Sequence, residues 1–350
     1  METLLPEFRV RCREAVLNLL WRQWCSLGVS GHAEPADSRR LIDLEALVLA
    51  TTTLGRQDAR LFDEGLDWLA TFGPLINLQR LSNLQRVHSL GDARVLGAIA
   101  HWLMKMASQP RWKAIARRSN ANAVDSTSER LFFEFAQPNP QLRDEIFFAC
   151  GLERGVFRPR GMSRPPRPLF PPNLMCSLRA LIGVSARVEI LLYLAGSPTA
   201  SKASEIAHAT GYAPRTLQTL IHEMILSGHV LRQETPLRQN TSSVRRAQSR
   251  YQIQPADWAF LTSGKPLPIW TPWASIFSLI QCVLEIIPTS EDKPVHVAVV
   301  SSRLRQRLAA EGPALAAAGL LPLLDLHADA SGAELLETLS TRLPVLLDGF

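Results

Sequence analysis

Residues 204–232 read SEIAHATGYAPRTLQTLIHEMILSGHVLR. Two short helical patterns meet there at Gly211-Tyr212-Ala213-Pro214. Gly211 stops the first pattern where a left-handed residue is needed. Pro214 opens the second, where its missing N–H costs nothing and its fixed φ suits a first turn. Ser201 is the expected N-cap of the first helix, Lys202 to Thr210, whereas Ala213 offers the second no side-chain cap. The second helix runs to Ser227, and Gly228 ends it. At 100° per residue from Leu217, the side chains of Leu220, Ile221, Met224 and Ile225 fall within about 80° and form a buried stripe. The opposite arc holds Arg215, Gln218, Thr219 and His222, flanked by Thr216 and Glu223.

Working outward, Ala186 to Ala195 (ARVEILLYLA) reads as a preceding helix. A strand (His229 to Gln233), a polar hairpin (Glu234 to Ser249) and a return strand (Arg250 to Gln254) follow. The hairpin carries Arg238, Arg245 and Arg246, its strands add Arg232 and Arg250, and only Glu234 opposes them. Helix, helix, tight turn, helix, strand, basic loop, strand resembles the winged helix-turn-helix of MarR-like and ArsR-like bacterial regulators. Glu205-Ile206-Ala207, Gly211, Arg215-Thr216-Leu217, Ile221, Gly228 and Val230 carry the resemblance, which covers residues 186–253.

The resemblance implies double-stranded DNA as partner and a homodimer on paired half-sites. Arg215, Thr216, Gln218, Thr219 and His222 would face the major groove. Arg232, Arg238, Arg245, Arg246 and Arg250 would lie on the sugar-phosphate backbone. Arg can take guanine O6/N7 and Gln adenine N6/N7, each worth about 1–3 kcal/mol of discrimination. Three wing arginines on three phosphates would change log K with log salt by about −2.7. Winged helices also serve as protein-contact modules. The alternative is therefore an interaction scaffold, antitoxin-like or a defence-system subunit, holding a protein partner through its N- or C-terminal domain.

Charge distribution points the same way. The 350 residues hold 38 Lys+Arg and 32 Asp+Glu, a net charge of +6. Residues 1–150 carry 18 basic and 17 acidic groups, residues 151–172 carry 5 and 1, residues 173–255 carry 9 and 4, and residues 256–350 carry 6 and 10. The middle of the chain is thus strongly basic and its end acidic, which suggests an anion-binding surface. Of the basic residues 33 are Arg, the residue suited to bidentate phosphate and guanine contacts.

The expected fold class is mainly α, in four segments. Residues 1–152 form an all-helical domain, with helices over 4–25, 41–54, 59–72, 75–87 and 94–107. Gly73-Pro74 joins two of these in either a second helix-turn-helix, offering Gln79, Arg80, Gln85 and Arg86, or a corner of a helical bundle. Leu131 to Phe135 reads as strand or helix. Residues 153–172 are a Pro/Arg-rich linker: RGVFRPRGMSRPPRPLFPP, from 154, has five Arg, six Pro and no acid. It is extended, as a stiff spacer or as a basic arm tracking phosphates. The winged helix occupies residues 173–255. Residues 256–350 form a small α/β or helical domain: an apolar helix (Trp273 to Ile287), strands at Val295–Val300 and Leu320–Leu326, and helices at Ser302–Ala310 and Ala333–Arg342.

Other function classes find little in the sequence. Gly264-Lys265-Pro266 lacks the rest of a phosphate-binding loop, and no G-x-G-x-x-G follows a strand. His222-Glu223-Met224 lacks the second His of a zinc-protease helix, and the eight histidines show no ligand spacing. No catalytic residue, cofactor or metal is expected, and the protein reads as a non-enzyme. Cys12, Cys25, Cys150, Cys176 and Cys282 show no C-x-x-C and read as reduced packing residues. With no basic, apolar leader at Met1–Glu7 and no apolar run of spanning length, a cytoplasmic protein without a membrane segment is expected.

Overall fold

The computed structural model describes residues 4–31, 36–37, 39–120, 128–133, 142–197, 199–235, 248–287, 297–320 and 331–350. In chain order the helices are α1 (Leu4–Ser26), α2 (Leu44–Thr51), α3 (Ala59–Phe72), α4 (Leu78–His88), α5 (Ala93–Met106), α6 (Lys113–Asn120), α7 (Glu145–Phe148), α8 (Leu174–Ile182), α9 (Ala186–Ala195), α10 (Ala203–Thr210), α11 (Pro214–Ile225), α12 (Trp273–Ile286), α13 (Val297–Ala317) and α14 (Gly332–Asp348). The strands are β1 (Glu129–Arg130), β2 (Leu152–Glu153), β3 (Ser201–Lys202), β4 (Leu231–Thr235) and β5 (Gln248–Gln252). The described chain is thus mainly helical. It divides into two compact units: residues 1–36, 43–165 and 272–350 in the larger, 37–42 and 166–271 in the smaller.

In the larger unit α2 to α5 each begin where a short polar side chain caps them. Asp43, Asp58, Asn77 and Asp92 accept hydrogen bonds from the first-turn N–H groups of α2, α3, α4 and α5. α1 buries Phe8, Cys12, Val16 and Leu19 along one stripe. Burial pushes the Cys12 thiol up to about 12, with Arg9 opposing weakly. The five cysteines are free thiols.

The C-terminal helices belong to this unit. α12 packs on α2, α4 and α1, and α14 runs along α1. Neither helix has a basic residue in its last turn. Arginines of α1 supply the charge: Arg9 donates to the carbonyls of Leu284 and Ile287 at the end of α12, and Arg22 to those of Leu347 and Asp348 at the end of α14, the latter at 2.9 and 3.1 Å. Cations on those orphan carbonyls favour both helix dipoles. The separate domain expected over 256–350 is therefore not seen as such, because the apolar faces of its helices are buried against α1, α2 and α4.

Its expected strand at 295–300 is also corrected. Residues 297–300 are the first turn of α13, which satisfies its backbone groups internally, where a lone strand would leave them unpaired. Residues 295–296 and 321–326 lie outside the described residues, as do 134–135. The last helix is longer than expected, running to Asp348.

α13 docks on α4 through a buried polar contact. His88 Nδ1 lies 2.9 Å from Glu311 Oε2, and Ser278 Oγ and Arg307 Nη1 donate to the His88 carbonyl at 2.7 and 2.8 Å. Burial raises the pKa of Glu311, but hydrogen bonds from His88 and Ser275 and the charge of Arg307 together hold it below 4.5. A depressed carboxylate contributes stability that is complete above its unfolded pKa and is lost as pH falls through the lower folded value. Glu311→Gln is expected to lessen the acid-induced fall in urea midpoint below about pH 4.5. An unchanged acid limb would contradict this coupling.

The stretch expected as a free linker is a strap on the larger unit up to Pro165. Arg154 is buried among the rings of Phe62, Phe132, Phe147 and Phe157 and pairs with Asp63 at 2.8 Å. Arg160 pairs with Glu64, and Asp67 accepts from the Gly161 N–H and the Ser163 hydroxyl, both at 2.9 Å. The Arg164 N–H donates to the Gly28 carbonyl at 2.8 Å, and a Cβ at Gly28 would lie 2.1 Å from the Arg164 carbonyl oxygen. Acids on α3 hold two of the five arginines, so the basic-arm reading fails for Arg154 and Arg160. Arg80 is corrected likewise: it is fully buried between Asp43 and Glu45. Gly73-Pro74 is therefore a bundle corner.

In the smaller unit α8 through α11 pack around an antiparallel sheet of order β3-β5-β4. Residues 37–42 join it through Leu41 N–H to the Ile269 carbonyl (3.1 Å) and Ile42 N–H to the Pro172 carbonyl (3.0 Å). Val188, Ile190, Leu191, Ile206, Leu217, Ile221, Val230 and Tyr251 are buried. Arg179 of α8 meets Glu189 of α9 at 2.5 Å, and the Tyr212 hydroxyl donates to the same carboxylate at 3.0 Å. The turn between α10 and α11 is thereby tied to the first two helices.

Ser201 is not a cap. It pairs with Tyr251 in the sheet, and Lys202 is the residue before α10, its N–H donating to Glu205 at 2.8 Å. β4 starts two residues later than expected and β5 two residues earlier, so each keeps its alternation of faces.

Candidate nucleic-acid interface

α11 is placed by the turn before it. Gly211 takes a left-handed φ of 77°, which lets Tyr212 turn its ring inward, and Pro214 occupies the first turn of the next helix. Ala213 is extended and caps nothing with its side chain. Leu217 and Ile221 are fully buried, while Leu220, Met224 and Ile225 are half-buried at the margins of the stripe.

The opposite face is exposed. Arg215, Thr216, Gln218, Thr219 and His222 all reach solvent, spread along about two helical turns. The Thr219 hydroxyl donates to the Arg215 carbonyl at 3.2 Å, leaving its lone pairs free to accept. Glu223, the acid on this face, pairs with Arg187 of α9, so its charge is offset. Arg187 escaped the sequence reading: it lies on the polar side of ARVEILLYLA, but the pattern carries no sign that it reaches α11. Donors of fork and amide geometry along one helix are suited to base edges in a major groove, while hydroxyls and imidazole suit either bases or phosphates.

The sheet residues divide. Arg232 on edge strand β4 is exposed, its Nε 2.9 Å from Ser249 Oγ and its Nη2 3.0 Å from Glu234. Arg250 is half-buried on the central strand and donates to the Ala200 carbonyl at 2.8 Å, fastening β5 beside β3. Arg238, Arg245 and Arg246 lie outside the described residues. The smaller unit holds 13 basic and 6 acidic residues, a net charge of +7, against −1 for the rest of the chain.

Among the described residues no group of three or more His, Cys, Asp or Glu could hold a metal ion, and no helix is long and apolar enough to cross a membrane. Comparison of the chain with protein-family models, with curated proteins and with solved structures finds no match.

Proposed function

We propose that residues 173–255 form a winged helix-turn-helix and that the protein is a cytoplasmic, DNA-binding transcription regulator. α11 would enter the major groove, with β4 and the arginines of residues 236–247 contributing along the backbone. The observation that carries this reading is the exposed face of Arg215, Thr216, Gln218, Thr219 and His222, set behind a tight turn in a unit of net charge +7. The strand order β3-β5-β4 beside α9 and α10 supports it. The larger unit would serve dimerisation or sensing, with no chemical step and no cofactor.

The test is binding of the full chain to duplex DNA across a salt series. Arg245→Ala with Arg246→Ala is expected to flatten the slope of log K against log salt by about 1.8. No binding at low salt by the folded protein would sink the reading.

A second reading, a winged-helix scaffold for a protein partner, is favoured by exposed apolar side chains of the smaller unit. Leu226 is 87% exposed, Leu181 73% and Phe260 66%. Stable co-purification with one protein through 1 M salt, without DNA binding, would favour it.

A further inference from the structure

Between Asp92 and Asp125 the sequence holds no acidic residue, yet it carries Arg94, Lys105, Arg111, Lys113, Arg117 and Arg118. The near-neutral total over residues 1–150 hides this stretch. Two of the six cations have structural partners. Arg94 pairs with Glu129 at 2.6 Å, and Arg111 donates to the carbonyls of Pro74 and Ile76 at 2.6 and 2.7 Å. Lys105, Lys113, Arg117 and Arg118 are all exposed and form no ion pair among the described residues.

The packing explains how they come to share a surface. α5 ends at Met106, the chain reverses through Ser108, whose φ is 52°, and α6 packs back on α5. α6 turns Trp112, Ile115 and Ala116 inward and leaves Lys113, Ala114, Arg117 and Arg118 outside. Helix stability does not account for this arrangement. Lys113 sits at the positive end of the helix dipole, and Lys113 and Arg117 are like charges one turn apart, both unfavourable. Several arginines of the larger unit pair with acids (Arg56, Arg80, Arg154) or donate to helix-end carbonyls (Arg9, Arg22). Lys105, Lys113, Arg117 and Arg118 make neither kind of contact among the described residues.

We propose that Lys105, Lys113, Arg117 and Arg118 form a second binding surface for the phosphate backbone of duplex DNA, independent of sequence. Lys113 and Arg117 are spaced about 6 Å along the helix axis, and the arginine forks suit phosphate oxygens. Ala114, between Arg117 and Arg118 around the helix, lets a backbone approach closely. The choice of duplex DNA as the polyanion rests on the proposed reading of α11.

The test uses the full chain carrying Lys105→Gln, Lys113→Gln, Arg117→Gln and Arg118→Gln, with Gln218→Ala as a separate arm. The quadruple variant should keep the wild-type melting temperature, because all four side chains are exposed. It should flatten the salt slope for duplex binding by about 0.9 for each phosphate left without its cation, up to about 3.6, with sequence preference unchanged. A charge-keeping variant, Lys113→Arg with Arg117→Lys, should retain the wild-type slope. An unchanged slope in the folded quadruple variant, while wild type binds, overturns this inference and leaves α11 untouched. A flattened slope together with no change of preference in Gln218→Ala upholds it and overturns the reading of α11. Absence of duplex binding by wild type at 50 mM salt overturns both.

Discussion

Arg80→Met is expected to destabilise the larger unit by about 3–5 kcal/mol, a large share of the about 5–15 kcal/mol that holds a typical domain. Arg80 is fully buried, with Nη1 2.6 Å from both Asp43 Oδ1 and Glu45 Oε2, and Nη2 2.5 Å from Asp43 Oδ2. Both carboxylates have further duties. Asp43 caps α2 through the Ala46 N–H at 3.1 Å, and Glu45 accepts from the Asn77 N–H at 2.7 Å. Removing the guanidinium would leave two negative charges side by side, out of water, at the join of α2 and α4. Urea unfolding followed by circular dichroism reads the loss directly. The triple variant Asp43→Asn, Glu45→Gln, Arg80→Met should recover much of it, because breaking a buried pair costs more than replacing it whole. A loss below about 1 kcal/mol for Arg80→Met would contradict the account.

Arg179→Met is expected to do the same to the smaller unit. Among the described residues Glu189 would keep the Tyr212 hydroxyl alone, and its charge would be stranded in the buried interior of the unit. The expected cost is again about 3–5 kcal/mol. Because Tyr212 stands in the turn before α11, loss of DNA binding should accompany loss of structure. Tyr212→Phe removes one hydrogen bond and should cost about 1 kcal/mol, which separates the bond from the ion pair. Limited proteolysis should show cleavage within 166–271 of Arg179→Met while fragments of the larger unit persist. Equal protection of wild type and Arg179→Met would count against the buried pair as the fastening of this unit.

Much of the helical pattern was legible because its signals are local. Asp58 before Ala59 and Gly73 after Phe72 bound α3 where the sequence places it, and Gly211 with Pro214 marks the turn before α11. The exposed face of α11 follows from its 3.6-residue period alone. What was not legible depends on partners distant in the chain. The β-branched residues at 297–300 join a helix because α13 continues through them. Arg154 looks like one more linker arginine until α3 supplies Asp63 and a ring cage forms around it. Arg250 looks like a wing residue until β3 brings the Ala200 carbonyl beside it. Charge counting over long blocks also averaged away the acid-free stretch of α5 and α6, which a shorter window reveals.

The most direct test of the central claim is selection of duplexes from a random pool by the full chain at 50 mM salt, with wild type and Gln218→Ala run side by side. Wild type is expected to enrich a defined sequence, and Gln218→Ala to relax or change preference at one or two positions, by about 1–3 kcal/mol each. Retention of no duplex by the folded wild type, or the same enriched sequence from both proteins, would contradict the placement of α11 in the groove.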